Sequence, residues 1–274
     1  MQYNMLSRKT IVSSRFIGNI YQTSQGLYCI NPADQVVSKE LVMTGMYSAM
    51  ELKNIGRLVN SQSDVLLLGG HIGALCIPLS KEVRKMVVLE ANPESFELLQ
   101  INIALNHASN ITAHNLAANH EFGTLDFVIN TVNSGGSKRL PIERSEMYFY
   151  DNPEVRKIQA VRLDDFLHGQ SFDLVFMDIE GSEYFAMQGM PRLLQHASAV
   201  VVEFIPHHLR NVAGISAFQF AACLDGFQTL ISSSHKIVGH GKEEIYVILE
   251  NMMREDLSDQ GLIFHKKKIN ISFS

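Results

Sequence analysis

Asp64-Val65-Leu66-Leu67-Leu68-Gly69-Gly70-His71-Ile72-Gly73 is the stretch that decides the fold. An unbroken apolar run that stops on glycines reads as a short parallel strand buried on both faces. Glycines at that point let the backbone approach a ligand closely. The helix expected from Gly73 to Val83 would present free N–H groups beside them. Lys85 to Glu90 reads as the second strand. Asn92-Pro93-Glu94 then opens a helix: Asn caps free N–H groups, Pro suits the first turn and Glu complements the dipole. Phe96, Leu99 and Ile103 give that helix an apolar stripe.

The same alternation continues along the chain. Ile111 to Leu116 and Gly123 to Ile129 are expected strands, and Phe172 to Asp178 and Ala199 to Phe204 are two more, separated by a helix from Ser182 to His196. A helix from Ile215 to Leu224 leads to a strand at Phe227 to Ser232, and Glu244 to Leu249 completes the series. Strands alternating with helices predict an α/β fold: a doubly wound, mostly parallel sheet with helices on both faces and ligands at the carboxyl ends of its strands. Residues 64–249 would form this domain. Residues 1–63 read as an N-terminal addition, with strands at Arg15 to Tyr21 and Gly26 to Ile30 and a helix at Ser48 to Val59. Residues 250–274 read as a charged tail, a solvated strand or arm ending Lys266-Lys267-Lys268-Ile269-Asn270-Ile271. Residues 131–157 lack periodicity and hold Asn133-Ser134-Gly135-Gly136-Ser137, as a functional or disordered loop would.

Composition removes several classes. Among 274 residues, 23 Lys and Arg against 28 Asp and Glu leave a charge of −5, which argues against nucleic-acid binding through bulk positive charge. Apolar runs such as Ala199 to Val202 fall far short of the ~20 residues of a membrane span. Met1 to Phe16 carries Arg8 and Lys9 with no apolar run after them, so no secretory signal is expected. Three separated cysteines, Cys29, Cys76 and Cys223, exclude a disulfide framework and a clustered zinc site and fit a reducing, cytoplasmic setting.

Two acidic features carry the chemistry. Glu90 ends the second strand, where a carboxylate can accept both hydroxyls of a ribose. The dinucleotide pattern G-x-G-x-x-G is absent. Asp178-Ile179-Glu180-Gly181-Ser182-Glu183 places three carboxylates where a buried strand turns into a helix. Such groups repel one another and are costly to desolvate, so the set points to a site. Glu203, at the end of the next strand, is a substrate-side candidate, followed by His207; loop histidines such as His207 and His208 are more often simply solvated. Asp178, Glu180 and Glu203 are natural ligands for a hard cation, but nothing in the sequence signals one, and the expectation is no metal.

These residues carry a family resemblance from Asp34 to Leu249. The sequence resembles the FkbM-type S-adenosylmethionine-dependent methyltransferases: D-x-E-G-x-E stands at Asp178 to Glu183, and E-P-N-P appears as Glu90-Ala91-Asn92-Pro93. N-I-x-L-N is Asn102 to Asn106, and Ala117 to Leu125 resembles the family's A-L-x-x-x-x-G-T entry. Val161 to Leu167 follows in order, and Asp34, Gly45-Met46-Tyr47 and Glu51 match upstream. Three positions depart from the pattern. Leu67 replaces the acid, and His71 the asparagine, of D-V-G-A-N-I-G; Phe176 stands where relatives commonly carry lysine.

The resemblance implies a Rossmann-like methyltransferase using S-adenosylmethionine to methylate a hydroxyl on a sugar, a polysaccharide or a secondary metabolite. Gly69, Gly70, His71 and Gly73 would meet the cofactor's amino-acid part, Glu90 and Ala91 its ribose, and Ala117 and Ala118 its adenine. Asp178 would bind near the cofactor and take the acceptor's proton, with Glu180 and Glu183 next in line. The partner would be a small-molecule or glycan hydroxyl, with no nucleic acid and no membrane span; homo-oligomer formation stays open. A catalytically silent S-adenosylmethionine binder and an NAD-dependent oxidoreductase are the alternatives.

Overall fold

The computed structural model describes residues 17–269. The expected strand at Arg15 to Tyr21 therefore begins at two residues outside the described region, as do the residues screened for a signal and the Asn270-Ile271 end of the tail. The chain starts with a hairpin of β1 (Asn19–Gln22) and β2 (Leu27–Ile30), followed by helices Val37–Thr44 and Ala49–Gly56. Then come β3 (Asp64–Leu68), β4 (Lys85–Leu89) and β5 (Ile111–His114), with the long helix Pro93–Leu105 between the last two. A second sheet follows from β6 (Ala117–Asn119), β7 (Gly123–Ile129), β8 (Lys138–Arg139) and β9 (Glu154–Arg162). The main sheet resumes with β10 (Leu174–Met177), β11 (Ala199–Phe204), β12 (Thr229–Ser232), β13 (Ile237–His240) and β14 (Asp259–His265).

The eight-stranded sheet has the order β13-β12-β14-β11-β10-β3-β4-β5. Strands β5, β4, β3, β10 and β11 are parallel neighbours in register, while β14 lies antiparallel between β11 and β12. The dinucleotide-binding order lacks such an inserted strand. Period-two alternation divides the core. Leu66, Leu68, Val175 and Met177 face helices 183–188, 191–196, 217–222 and 242–254, whereas Val65, Leu67, Leu174 and Phe176 face helices 37–44, 76–80 and 93–105. Each fully buried Val, Leu or Phe contributes about 1.5–3 kcal/mol, so the sheet's centre is fixed by both layers.

The N-terminal hairpin is fastened by the asparagines of the N-I-x-L-N motif. Asn102 accepts from Cys29 N at 2.6 Å and donates to Cys29 O at 3.0 Å and Ile72 O at 2.8 Å. One turn later, Asn106 accepts from Leu27 N at 2.9 Å and donates to Leu27 O at 2.7 Å. Two side-chain amides spaced by four residues on the helix thus pair β2 as a neighbouring strand would. They also join it to the glycine turn.

Four expectations are corrected. Glu244 to Leu249 is not a strand but the middle of helix Lys242–Arg254, whose buried Ile245, Leu249 and Met252 recur at helical spacing. The β-branched run there mimics a strand over a short window. The tail is not a solvated arm: β14 buries Leu262, Ile263 and Phe264 inside the sheet. The helix expected over Ser182 to His196 is two, Glu183–Gln188 and Pro191–His196, because Pro191 starts a new helix whose first amides, Arg192 N and Leu193 N, are accepted by Asp164. The aperiodic 131–157 segment contains a helical turn at 134–136, β8, helix Glu146–Phe149 and the start of β9.

Candidate active site

The carboxyl ends of β3, β4, β10 and β11 open on one cleft of ≈ 1310 Å³, measured out to its mouth. The turn after β3 forms its floor. Gly69, His71 and Gly73 have φ of 92°, 45° and 93°, all left-handed. A Cβ at Gly69 would fall 1.8 Å from Asp178 O, so only glycine lets the turns after β3 and β10 approach this closely. His71 is a non-glycine residue in strained backbone, and its amide donates to Glu90 Oε2 at 2.6 Å. Asn92 N donates to the other oxygen of Glu90 at 2.7 Å. The Glu90 carboxylate is thereby held rigid beside the glycine turn. Burial raises its pKa to about 7 against the lowering pull of these bonds.

The His71 ring binds across the cleft. Ser134 donates to Asp34 Oδ2, and His71 Nε2 lies 2.7 Å from Ser134 Oγ, in the tautomer that donates to it. Burial lowers the His71 pKa to about 4, so the ring is neutral near pH 7 even with Asp34 at 3.6 Å. The glycine turn, the 131–137 loop and the start of helix Val37–Thr44 are thus joined through one imidazole.

The β10 end carries the acids. Asp178 and Glu180 line the cleft. Glu180 sits at φ 56° beside Gly181 at φ 94°. Desolvation, and then the neighbouring Glu180, holds Asp178 well above the usual carboxylate range. Glu203 at the end of β11 is buried and raised in the same way, first by desolvation and then by Asp178 and Glu180, with Lys138 pulling the other way. Lys138 donates to Glu180 Oε2 at 3.1 Å and to Gly136 O at 2.5 Å.

Of the sequence-predicted residues, Gly69, Gly70, His71, Glu90, Ala91, Ala117, Ala118, Asp178, Glu180 and Glu203 come together around this cleft. Three do not. Gly73 stands behind the turn, where a Cβ would meet Ile77 at 2.6 Å. Glu183 is 1% exposed and accepts from Ile179 N at 2.9 Å, closing the turn that presents Asp178 and Glu180 rather than facing a ligand. His207 contacts the Tyr148 hydroxyl at 2.9 Å. Its neighbour His208 is the histidine that turns inward, toward Glu180 and Glu203. Sequence reasoning also passed over Ser134 and Lys138, which a glycine-serine loop followed by a lone lysine could have signalled.

A rigid acid beside a glycine turn, an apolar strip at Ala117, Ala118, Leu125 and Phe127, and proton-accepting carboxylates opposite suit a nucleoside-bearing ligand and an acid–base step. The Methyltransferase FkbM domain matches residues 68–227, 160 of the 274 by inclusive count. Among solved structures, the chain is similar to methyltransferase FkbM from Methylobacillus flagellatus (16% identity, 75% of this chain and 44% of that one, TM-score 0.44). It is also similar to an rRNA methylase from Streptococcus thermophilus (8%, 80% and 95%, TM-score 0.42). A third is M. jannaschii TYW2 in complex with AdoMet (15%, 81% and 80%, TM-score 0.42). The chain thus spans 44% of the length of the M. flagellatus protein. No curated protein matches it. Among the described residues no helix is long and apolar enough to cross a membrane.

Proposed function

The chain belongs to the FkbM methyltransferase family, and from that premise we propose that it transfers a methyl group from S-adenosylmethionine to a hydroxyl oxygen of a sugar or secondary metabolite. The observation that carries this reading is the Glu90 carboxylate, gripped by the amides of His71 and Asn92 at the mouth of the glycine turn. Held there and lining the cleft, it suits the paired hydroxyls of a ribose. Ala117, Ala118, Leu125 and Phe127 offer the adjacent ring an apolar berth.

The residues also fit the charged end of such a cofactor. Glu51 Oε1 is buried without a hydrogen-bond partner, and Glu51 and Asp178 line the same part of the cleft. An unsatisfied buried carboxylate oxygen is costly, and an ammonium group would satisfy it. Leu67, which stands at the position of the family's acid, is fully buried in the sheet, and Glu51 is a cleft-lining carboxylate available to that ammonium group.

S-adenosylmethionine, when bound, supplies a methyl group already activated on a sulfonium. The protein's part is alignment and proton removal. Asp178 is held above the usual carboxylate range, which suits a group that takes up the acceptor's hydroxyl proton. Glu180 and Glu203 line the acceptor side, and the His71–Ser134–Asp34 contacts hold the wall that shields it. Calorimetric titration with S-adenosylmethionine, S-adenosylhomocysteine and NAD tests the proposal. Binding of NAD alone favours the oxidoreductase alternative. Nucleotide binding without turnover on a panel of glycans and hydroxylated metabolites leaves the silent binder.

A further inference from the structure

Glu180, Glu203 and His208 each offer a ligand atom, and these atoms all lie within 4.8 Å of one another. His208 Nε2 is 3.4 Å from Glu180 Oε2, and His208 Nδ1 is 3.8 Å from Glu203 Oε2. His208 is 5% exposed, and its Nδ1 is buried with no hydrogen-bond partner. The orphaned Nδ1 lies on the Glu203 side of a ring whose other nitrogen faces Glu180, and a buried ring nitrogen left unsatisfied is a feature that folding alone gives no reason to keep. We propose that Glu180, Glu203 and His208 form a binding site for one divalent cation of the Mn²⁺ type on the acceptor wall of the cleft.

The chemistry of the donors supports this assignment. Two carboxylate oxygens and one neutral imidazole suit a borderline to hard first-row cation. Bonds of about 2.1 Å require donors close to this spacing, so small side-chain shifts close the site. Charge points the same way. Asp178, Glu180 and Glu203 meet at this wall, and among the described residues Lys138 supplies the one ammonium or guanidinium paired with them. Glu180 and Glu203 both line the cleft, so a cation between them would leave positions open toward an acceptor.

Its role rests on the methyltransferase reading. An acceptor hydroxyl bound to the cation would lose its proton to the Asp178 carboxylate, the O–H electron pair staying on the cation-bound oxygen. The oxygen would thereby become the nucleophile.

The site itself is tested without donor or acceptor. The full chain is freed of metal with a chelator and titrated with Mn²⁺ alone, free Mn²⁺ being read by electron paramagnetic resonance. One saturable site is expected. Glu203→Gln and His208→Gln should each weaken it at least tenfold, and Lys138→Met should tighten it at least threefold by freeing Glu180. Absence of saturable binding, or wild-type affinity in both ligand variants, overturns the proposal. If a ligand variant fails to fold by circular dichroism, Lys138→Met decides: unchanged or weaker binding overturns it. Failure here leaves the methyl-transfer reading standing, and failure of nucleotide binding leaves this site standing.

Discussion

Leu67 and Phe176 are register partners on adjacent parallel strands, both essentially unexposed and packed in the same apolar cluster. They are also two of the positions at which the sequence departs from the family pattern, which has an acid at the first and commonly a lysine at the second. At this adjacent pair of positions the chain therefore carries two apolar side chains, where a single introduced charge would be buried without a partner. A buried ion pair exchanged as a unit for well-packed apolar groups is neutral or stabilising, whereas half of it alone is not. Leu67→Asp and Phe176→Lys should each lower stability by about 3–5 kcal/mol. The double variant should lose at least ~1 kcal/mol less than their sum. Urea denaturation of the four proteins measures this, and strict additivity contradicts the pairing.

Stability should fall as pH rises from about 6.5 to 8. Glu90 and Glu183 have folded pKa values raised to about 7 by burial, and burial with acidic neighbours holds Asp178 and Glu203 well above the usual carboxylate range. A carboxyl raised in the folded state gives stability that is complete below its unfolded value, 4.5 for Glu, and lost as pH climbs through the folded value. His71 is shifted the other way, from 6.5 to about 4, so its opposing gain with pH is finished by about 6.5. Above that point the acids act alone, each by up to about 1.4 kcal/mol per pH unit. Differential scanning calorimetry should show a falling Tm across this window and a shallower fall in Glu183→Gln. A flat or rising Tm would mean that these acids are not desolvated.

Asp178→Asn should retain nucleotide affinity within about twofold and lose turnover. Removing a positioned base costs about 10²–10⁴-fold in rate. Paired calorimetry and methyl-transfer assays on the acceptor found by screening separate the two effects. Full turnover in Asp178→Asn would remove it from the proton-transfer role.

The parallel half of the fold was legible because its strands are continuous apolar runs that end on glycine or acid, as at Leu68-Gly69 and Met177-Asp178. β14 was not, because Asp259 to His265 follows a charged stretch and its burial comes from a distant pairing with β11 and β12. Helix 242–254 was misread because Ile245-Tyr246-Val247-Ile248 favours a strand locally, while tertiary burial of Ile245 and Leu249 selects the helix. At the site, Glu90 and Asp178 announced themselves by position at strand ends. The choice between His207 and His208 could not be read from sequence, since a short helix at 206–208 decides which ring points inward. Likewise Glu183 matches a motif yet serves the turn, because the left-handed Glu180-Gly181 pair brings the chain back over it.

The most direct test of the account is calorimetric titration of S-adenosylhomocysteine into the wild-type chain and into Glu90→Ala. The carboxylate that His71 N and Asn92 N hold is the group that should accept the ribose hydroxyls. The account predicts saturable one-to-one binding to the wild type and at least a hundredfold loss in Glu90→Ala, with the variant still folded and NAD bound by neither. No binding of S-adenosylhomocysteine or S-adenosylmethionine to the wild type, or undiminished binding to Glu90→Ala, would contradict it.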